Sequence, residues 1–378
     1  MFSDAQTIVI KIGSAILVDG QTQALRKDWL EALASDLAGL KDKQIILVSS
    51  GAIALGRQRL NLLGNALSLS QKQACAAAGQ SSLTRAYEDA LSAHNITTAQ
   101  ALLTLNDTEN RRRWLNARST LDTLLGLGAV PIINENDTVA TDEIRYGDND
   151  RLAARTAQMV GADLLILLSD IDGLYTADPR SDSTAKHIPL IQTLSEDIIA
   201  MGGAPNAAAG VGTGGMATKL AAAQIATQAG CDMIICDGRS VGALAGLAAG
   251  AKHSRFKAQS NPRKARAQWI GGTLKPSGSL HIDAGAMRAL QNGSSLLPAG
   301  VTRVMGSFEK GDAVSVCAND IEIARGLVAY DLHEADRIKG LKSAEISKEL
   351  GYEHGAAIIH RDNLVTVSYT HLTLPTKA

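Results

Sequence analysis

The chain has 378 residues, with 37 Lys and Arg against 38 Asp and Glu, and a formal net charge of −1. A chain of this length predicts two domains, or one large domain with a smaller module. Its 45% hydrophobic and 20% charged residues exclude an intrinsically disordered chain. The charge balance argues against a dedicated nucleic-acid binder, which usually carries a clear basic excess.

Redox and targeting signals point to the cytoplasm. The four cysteines lack CxxC or zinc spacing and are expected to be reduced, buried thiols: Cys75, Cys231, Cys236 and Cys317. The sequence shows no HExxH motif or His/Cys cluster that would hold a transition metal. The N-terminus enters a strand-like run directly, and no stretch approaches the ~20 apolar residues that span a bilayer. We therefore expect a soluble, cytoplasmic protein with no membrane partner.

Short apolar segments alternate with alanine-rich helical segments over the first 250 residues. The expected strands are Thr7–Ile12, Gln44–Ser49, Thr97–Leu103, Val130–Ile133, Leu164–Leu168 and Met233–Cys236. The expected helices are Lys27–Leu40, Ser70–His94, Arg111–Leu125, Arg151–Val160 and Ala217–Ala229. Several strands are continuous apolar runs, which is typical of strands covered on both faces. The pattern predicts an α/β fold with a mostly parallel open sheet sandwiched by helices.

The composition changes near residue 252, where Lys252–Arg266 contains six basic residues and no acid. Five short strand-like segments follow, separated by Gly and Pro: Gly278–Ile282, Thr302–Val304, Asp312–Val316, Ala324–Leu327 and Ala356–Ile359. They predict a small C-terminal β-barrel. The predicted division is an α/β domain at 1–256, a basic linker at 257–274, a β-rich domain at 275–367 and a non-native tail at 368–378.

Two strands end in segments suited to anions. Lys11 is the penultimate residue of the first strand, and Gly13 follows directly after that strand. A lysine in an apolar strand is costly unless its ammonium meets an anion at the carboxyl end, although it can also snorkel at a sheet edge. The second strand ends in a small-residue turn around Ser50, where backbone N–H groups can bind an anion. The alternative for Ser50 is an ordinary strand–helix turn.

A glycine-rich loop covers residues 210–215 and precedes Lys219. It matches GxGxxG, with Asp237 near the distance of a ribose-binding acid. A dinucleotide fingerprint must follow a strand, however, and residues 202–209 form a Gly/Ala/Asn/Pro loop. The spacing also differs from that of a P-loop. A loop of this kind that opens a helix with a lysine in its first turn favours phosphate binding over a mobile surface loop.

Acids and amides crowd two segments, 133–137 and 147–150. Single members could be helix caps, but two clusters next to turns indicate a site for an ammonium group. A further acid, Asp170, follows the apolar strand at 164–168, where ligands bind in open α/β sheets. Such a carboxylate can orient lysines or help to hold a cation. Two lysines, one organising aspartate and an acidic acceptor pocket suit phosphoryl transfer with Mg²⁺ on the phosphates.

The motifs VIKIGS, SSGAIALG, INENDTVAT, GDND, SDIDGLYTADPR and GTGGMATK resemble the amino-acid kinase family over about residues 5–250, and within it the members that phosphorylate glutamate. The C-terminal segments GSSLLPAGV and GYEHGAAIIHRD are similar to the PUA domain attached to many bacterial members. The resemblance implies the conversion of ATP and L-glutamate to L-glutamyl 5-phosphate, the first step of proline biosynthesis. It also implies Mg²⁺, feedback inhibition by proline, a homo-oligomer (dimer or tetramer) and a glutamyl-phosphate reductase partner.

The resemblance also implies residue roles. Lys11 and Lys219 would stabilise the transferring phosphoryl group, and Asp170 would hold both lysines. Glutamate would be bound by Ser50, Asp137 and Asn149, with Asp148 and Asp150 beside them. The ATP site would be lined by Lys11, Ser169, Asp170, Thr213, Gly214, Gly215, Met216, Ala217, Thr218 and Lys219. Ser169 stands where Thr is usual, and it keeps the hydroxyl group. Mg²⁺ would be held through ATP, without direct protein ligands.

Two alternatives remain open on the sequence. The first is another kinase of the same family, acting on N-acetylglutamate, aspartate or a nucleoside monophosphate; the acidic cluster favours a substrate with an unacylated amine. The second is an RNA-binding protein, because PUA domains occur in that setting. RNA is disfavoured as a partner, since residues 259–367 carry thirteen basic against twelve acidic residues and few aromatic ones.

Overall fold

A computed structural model describes residues 2–64, 66–139, 149–203, 215–352 and 355–366 of the chain. The fold divides into two compact units, residues 1–262 and 263–378. No helix in the described ranges is both long enough and apolar enough to cross a membrane.

The first unit is built on a sheet of eight strands. The strands of this unit are β1 (Thr7–Ile12), β2 (Gln44–Ser49), β3 (Thr98–Leu103), β4 (Val130–Glu135), β5 (Leu164–Ser169), β6 (Leu174–Tyr175), β7 (His187–Ile188), β8 (Leu190–Ile191), β9 (Asp232–Asp237) and β10 (His253–Phe256). The sheet order is β3-β4-β2-β1-β5-β9-β10-β8. Neighbours are parallel except β9 and β10. Strands β6 and β7 form a separate antiparallel pair.

Helices cover both faces of this sheet. They are α1 (Ser14–Leu17), α2 (Lys27–Ala38), α3 (Ala52–Arg59), α4 (Leu69–Ser92), α5 (Leu105–Glu109), α6 (Arg111–Gly126), α7 (Asn149–Val160), α8 (Glu196–Ala200), α9 (Met216–Gln228) and α10 (Ala243–Ala248). Successive strand residues point to opposite faces, so Ile8 and Ile10 join one core with α2 and α4. Val9 joins the other core, with α6, α7 and α9. The predicted sandwich is therefore confirmed.

This alternation also places the lysine of the first strand. Lys11 is two residues from Val9 and so lies on the same face, which α7 and α9 cover. All six strands predicted for this unit are present, with ends that differ by two residues at most. The carboxyl ends of β1, β2, β4 and β5 share one edge of the sheet because these strands are parallel. The predicted site residues Lys11, Ser50, Asp137, Ser169 and Asp170 lie at or just after these strand ends.

The second unit contains a five-stranded sheet in the order β12-β11-β13-β14-β15. Its strands are β11 (Gly278–Ile282), β12 (Val301–Gly306), β13 (Ala313–Ala318), β14 (Ile321–Leu327) and β15 (Leu364–Thr366). Its helices are α11 (Pro262–Gln268), α12 (Ala284–Gln291), α13 (Leu332–Ile338) and α14 (Ser343–Leu350). Leu280, Val314, Val316, Tyr330 and Ile358 are fully buried in its core, so this unit has a hydrophobic core of its own.

Two expectations for the C-terminal half need correction. Part of the expected linker at 257–274 is helical, since α11 begins at Pro262 and buries Ala265. Proline is well tolerated in the first turn of a helix, so the basic composition did not exclude one. Residues 356–359 were expected to form a strand, but Ile359 makes only an isolated bridge with Leu296. The final strand lies at β15 instead. The expected tail at 368–378 lies outside the described residues.

Candidate active site

Two lysines from distant parts of the chain meet at one buried carboxylate. The Nζ atom of Lys11, in β1, lies 2.6 Å from Oδ1 of Asp150. The Nζ atom of Lys219, in the first turns of α9, lies 3.0 Å from Oδ2 of the same side chain. Asp150 is fully buried, and the lysines are only 8% and 4% exposed. These three groups together carry a net charge of +1, which makes their surroundings attractive to an anion.

The electrostatics follow from this geometry. Burial alone raises the pKa of the Asp150 carboxyl, but the charges and hydrogen bonds of Lys11 and Lys219 outweigh it and hold the pKa well below its usual value. The carboxylate therefore remains ionised near neutral pH and keeps two ammonium groups close together. Without a shared counter-charge, two buried ammonium groups would repel each other strongly.

The organising carboxylate is not the one that the sequence suggested. Asp170 follows β5 and is exposed, and its carboxylate accepts a hydrogen bond from the Ser169 hydroxyl at 3.1 Å. The lysine pairs belong to Asp150, because α7 packs against both α9 and β1. A residue in the first turn of α7 thus reaches Lys219 on one side and Lys11 on the other. The expected role of Asp170 as the residue that holds both lysines is wrong in this structure.

The neighbouring residue, Asn149, joins this cluster to a network of polar groups. Its Nδ2 group donates to the carbonyl oxygen of Ser49 at 2.5 Å, to Oγ of Ser50 at 2.9 Å and to Oδ1 of Asn134 at 2.8 Å. These acceptors come from the ends of β2 and β4 and from the turn after β2. The structure therefore brings the predicted residues Ser50 and Asn149 into direct contact, beside the lysine pair.

Asp137 lies in the turn that follows β4 and is half-buried. Burial raises its pKa to about 6. An acid with a raised pKa in a polar cleft is stabilised in its charged form when a cation binds next to it. This property suits recognition of an ammonium group. The predicted residue Asp148 lies outside the described residues.

The predicted ATP residues fall into two described segments. Ser169 is buried at the end of β5, and Gly215 immediately precedes α9. In the first turn of α9, the Thr218 hydroxyl donates to the Gly215 carbonyl at 2.7 Å. Met216 and Ala217 belong to the same turn. The predicted residues Thr213 and Gly214 lie outside the described residues.

Asn134 belongs to the predicted segment 133–137 but has no predicted role of its own, and two further polar residues of the network, Gln80 and Tyr87, carry no prediction from the sequence. Asn134 is 2% exposed, and its Nδ2 donates to Oε1 of Gln80 at 2.8 Å. The Tyr87 hydroxyl lies 2.9 Å from the Ser49 hydroxyl, and burial raises the pKa of Tyr87 well above its usual value. An asparagine at the end of an apolar strand was a usable signal for Asn134. Gln80 and Tyr87 lie on the long helix α4 and carried no such signal.

Two family models match parts of this chain. A family model described as the amino acid kinase family matches residues 6–237. A PUA domain model matches residues 278–350, within the second unit. The residues of the lysine cluster and of the amide network all fall within the first match.

Curated relatives match nearly the full length of the chain. The glutamate 5-kinase of Caulobacter vibrioides is 57% identical over 366 residues, 96% of this chain and 97% of its own. Glutamate 5-kinase 1 of Rhizobium meliloti is 56% identical over 361 residues, 95% of this chain and 91% of its own. The glutamate 5-kinase of Paramagnetospirillum magneticum is 55% identical over 364 residues, 96% of this chain and 98% of its own.

Proposed function

This chain belongs to the amino acid kinase family, and from that membership we propose that it transfers the γ-phosphoryl group of ATP to the γ-carboxylate of L-glutamate. The product is L-glutamyl 5-phosphate, and the reaction is the first step of proline biosynthesis. The protein is thus a phosphotransferase with a carboxyl group as acceptor, in line with the glutamate 5-kinases that it matches over nearly its whole length.

The observation that carries this proposal is the pairing of two buried ammonium groups on one carboxylate. Lys11 and Lys219 lie on opposite oxygens of Asp150. A transferring phosphoryl group spreads negative charge over its equatorial oxygens, so catalysis depends on positioned cations. In the proposed mechanism both lysines neutralise this charge, and Asp150 keeps them at a fixed separation. Positioning of this kind lowers the barrier because no reorganisation is needed during the reaction.

The acceptor needs no general base. A glutamate γ-carboxylate has an ordinary pKa of about 4.3 and is therefore ionised at neutral pH. In this proposal Ser50, Asp137 and Asn149 hold the amino acid, with Asp148 beside them. The negatively charged carboxylate of Asp137 pairs with the ammonium group of glutamate. The Asn149 amide lies beside the lysine cluster, because Asn149 directly precedes Asp150. The acceptor carboxylate is thereby held near the phosphoryl group.

We assign the donor site to Lys11, Ser169, Asp170 and the segment from Thr213 to Lys219. Mg²⁺ would be held through ATP, without direct protein ligands, and would neutralise phosphate charge there. In this proposal the backbone N–H groups at the start of α9 and the Lys219 ammonium group face the same charge. The donor and acceptor sites then meet at the two lysines.

Further proposals concern the whole protein. We propose a cytoplasmic homo-oligomer, a dimer or tetramer, that passes its product to a glutamyl-phosphate reductase. We also propose that the catalytic domain is 1–256 and that the PUA-like domain is 275–367. Proline is proposed to inhibit by competing with glutamate at Asp137 and Asn149. If saturating proline leaves the glutamate dependence of the rate unchanged, the proposal of competition fails.

The test of the function is a coupled assay of ADP release with four acceptors: L-glutamate, N-acetylglutamate, L-aspartate and UMP. We expect ADP release that depends on L-glutamate and on Mg²⁺. Activity with any of the other three acceptors and none with L-glutamate would refute the proposed substrate.

A further inference from the structure

A chain of amide hydrogen bonds leads from helix α4 to the amino-acid site. Oε1 of Gln80 accepts from Nδ2 of Asn134 at 2.8 Å, and Oδ1 of Asn134 accepts from Nδ2 of Asn149 at 2.8 Å. Asn134 and Asn149 are 2% and 6% exposed. Gln80 is therefore two hydrogen bonds away from the acceptor pocket and does not have to touch the substrate to influence it.

Backbone groups fix the direction of this chain. The backbone N–H of Glu135 donates to Oδ1 of Asn134 at 2.9 Å, so Nδ2 of Asn134 must be the atom that faces Gln80. The carbonyl of Ser49 can only accept, so Nδ2 of Asn149 is committed to the protein. Among the described residues no hydrogen bond engages Oδ1 of Asn149, so this oxygen can accept from a donor such as the ammonium group of an amino acid.

At the other end of this series of hydrogen bonds, Thr84 fixes the orientation of the Gln80 side chain. Its hydroxyl donates to the backbone carbonyl of Gln80 at 3.0 Å and accepts from Nε2 of Gln80 at 3.3 Å. Gln80 therefore presents its Oε1 atom to Asn134. If that acceptor were removed, the Nδ2 group of Asn134 would be left buried without this partner, which is costly. Asn134 would be expected to turn and to release Asn149.

We propose that Gln80 is a positioning residue for the amino-acid acceptor, which acts through Asn134 to hold the Asn149 amide in its binding orientation. The proposal rests on the proposed function. It concerns how the acceptor is held and leaves the lysine cluster unchanged. Its signature is therefore a change in KM for L-glutamate, with kcat and KM for ATP retained.

The experiment compares variants of the full chain in the ADP-release assay. Gln80→Leu removes the acceptor, and Gln80→Asn keeps an amide but is one methylene too short to reach Asn134. Both should raise KM for L-glutamate about tenfold, with kcat and KM for ATP within about twofold. Gln80→Glu keeps an oxygen acceptor at the same length and should stay within about threefold of the wild type in all three constants.

A matched control is Gln100→Leu. Gln100 also donates to Thr84, at 2.9 Å, but from β3, so the same chemical change leaves Asn134 untouched and should not alter KM for L-glutamate. Should Gln80→Leu fail to fold, Gln80→Asn carries the comparison. The proposal is overturned if KM for L-glutamate is unchanged in the soluble variants. It is also overturned if Gln80→Glu loses as much as Gln80→Leu, or if kcat and both KM values change together. Absence of glutamate-dependent activity in the wild type would instead overturn the proposed function.

Discussion

Asp150 determines the charge balance at the centre of the candidate site. Its two oxygens pair with Lys11 and Lys219, and no solvent reaches the carboxylate. Removing one partner of a buried ion pair leaves the other charges uncompensated, which commonly costs about 3–5 kcal/mol. The side chain is therefore important both for the chemistry and for the stability of the fold.

Asp150→Asn should lower kcat at least about a hundredfold, because the lysines lose the charge that holds them near the phosphoryl group. It should also lower the free energy of unfolding by about 3 kcal/mol. Steady-state kinetics and urea unfolding measure the two effects. Asp42→Asn, which removes a surface pair with Lys43, is the control and should change neither. A kcat within about threefold of the wild type would contradict the role given to Asp150.

Because the pKa of Asp137 is raised, we expect the binding of L-glutamate to weaken as the pH falls. Its pKa in the folded protein is about 6, above the ordinary 3.8. Above pH 6 the carboxylate is charged and can bind an ammonium group, whereas below pH 6 it becomes neutral. The same raised pKa of Asp137 contributes to the free energy of unfolding below pH 3.8, and this contribution is lost as the pH rises through about 6.

The expected result is that kcat/KM for L-glutamate falls about tenfold per pH unit below pH 6 and is level above it. In Asp137→Asn this acid limb should disappear and KM for L-glutamate should be raised at all pH values. The measurement is a kcat/KM profile between pH 5 and 8 for both proteins. A flat wild-type profile across this range would show that Asp137 does not govern binding.

At the residue scale the sequence predicted the lysines better than their partner. Lys11 and Lys219 were identifiable because each is a charge placed where apolar packing or a glycine-rich loop makes it unusual. Whether Asp150 or Asp170 pairs with both lysines depends on how α7 packs against β1 and α9. The local sequence does not predict that packing. The same holds for Gln80, whose role depends on a contact 54 positions away in the sequence.

At the scale of elements, the crossing of α3 and α4 shapes the acceptor side of the site. A Cβ atom on Gly79 would lie 1.8 Å from the carbonyl oxygen of Ala52, and one on Gly56 would lie 1.8 Å from that of Cys75. Only glycine allows the two backbones to approach so closely. Ala52 begins α3, two residues after Ser50, so this crossing also fixes the turn that carries Ser50.

Gly79→Ala should therefore displace the start of α3. We expect a loss of at least about 1–3 kcal/mol in the free energy of unfolding and a raised KM for L-glutamate. Gly126→Ala is the matched control, since a Cβ atom at Gly126, the last residue of α6, has no neighbour within 4 Å. It should leave stability within about 0.5 kcal/mol of the wild type. Equal unfolding midpoints in urea for the two variants would contradict this account of the crossing.

Longer helices and strands could be located from the sequence more accurately than short ones. The strands β1 and β2 were located to the residue because short, mostly apolar runs of strand length define them well. The elements α1, β6, β7 and β8 are only two to four residues long, too short for periodicity to appear. Strand β10 was missed because its sequence, HSRF, is half polar and basic and was interpreted as part of a charged segment.

At the scale of the whole molecule, the proposed chemistry lies in one unit. The lysines, Asp150 and the residues of the amide network lie within residues 1–262, and the family model for kinases ends at residue 237. The second unit has its own sheet and core. The change in composition near residue 252 predicted this two-part organisation. It did not reveal helix α11, because basic residues occur in exposed helices as readily as in linkers.

A protein shortened to residues 1–262 should therefore keep glutamate-dependent ADP release within about tenfold of the full chain, as expected for a unit with its own core. Circular dichroism establishes that the shortened protein is folded, and the ADP-release assay measures the activity. A folded but inactive product would show that catalysis requires the second unit.

The most direct measurement for the whole account is a crystal structure with L-glutamate, ADP, Mg²⁺ and a planar fluoride mimic of the transferring phosphoryl group. We expect the Nζ atoms of Lys11 and Lys219 both to lie within hydrogen-bonding distance, about 3 Å, of that mimic, with Asp150 between them. If either amine lay beyond reach of the mimic, or if the two faced separate cavities, the assignment of this site to phosphoryl transfer would be contradicted.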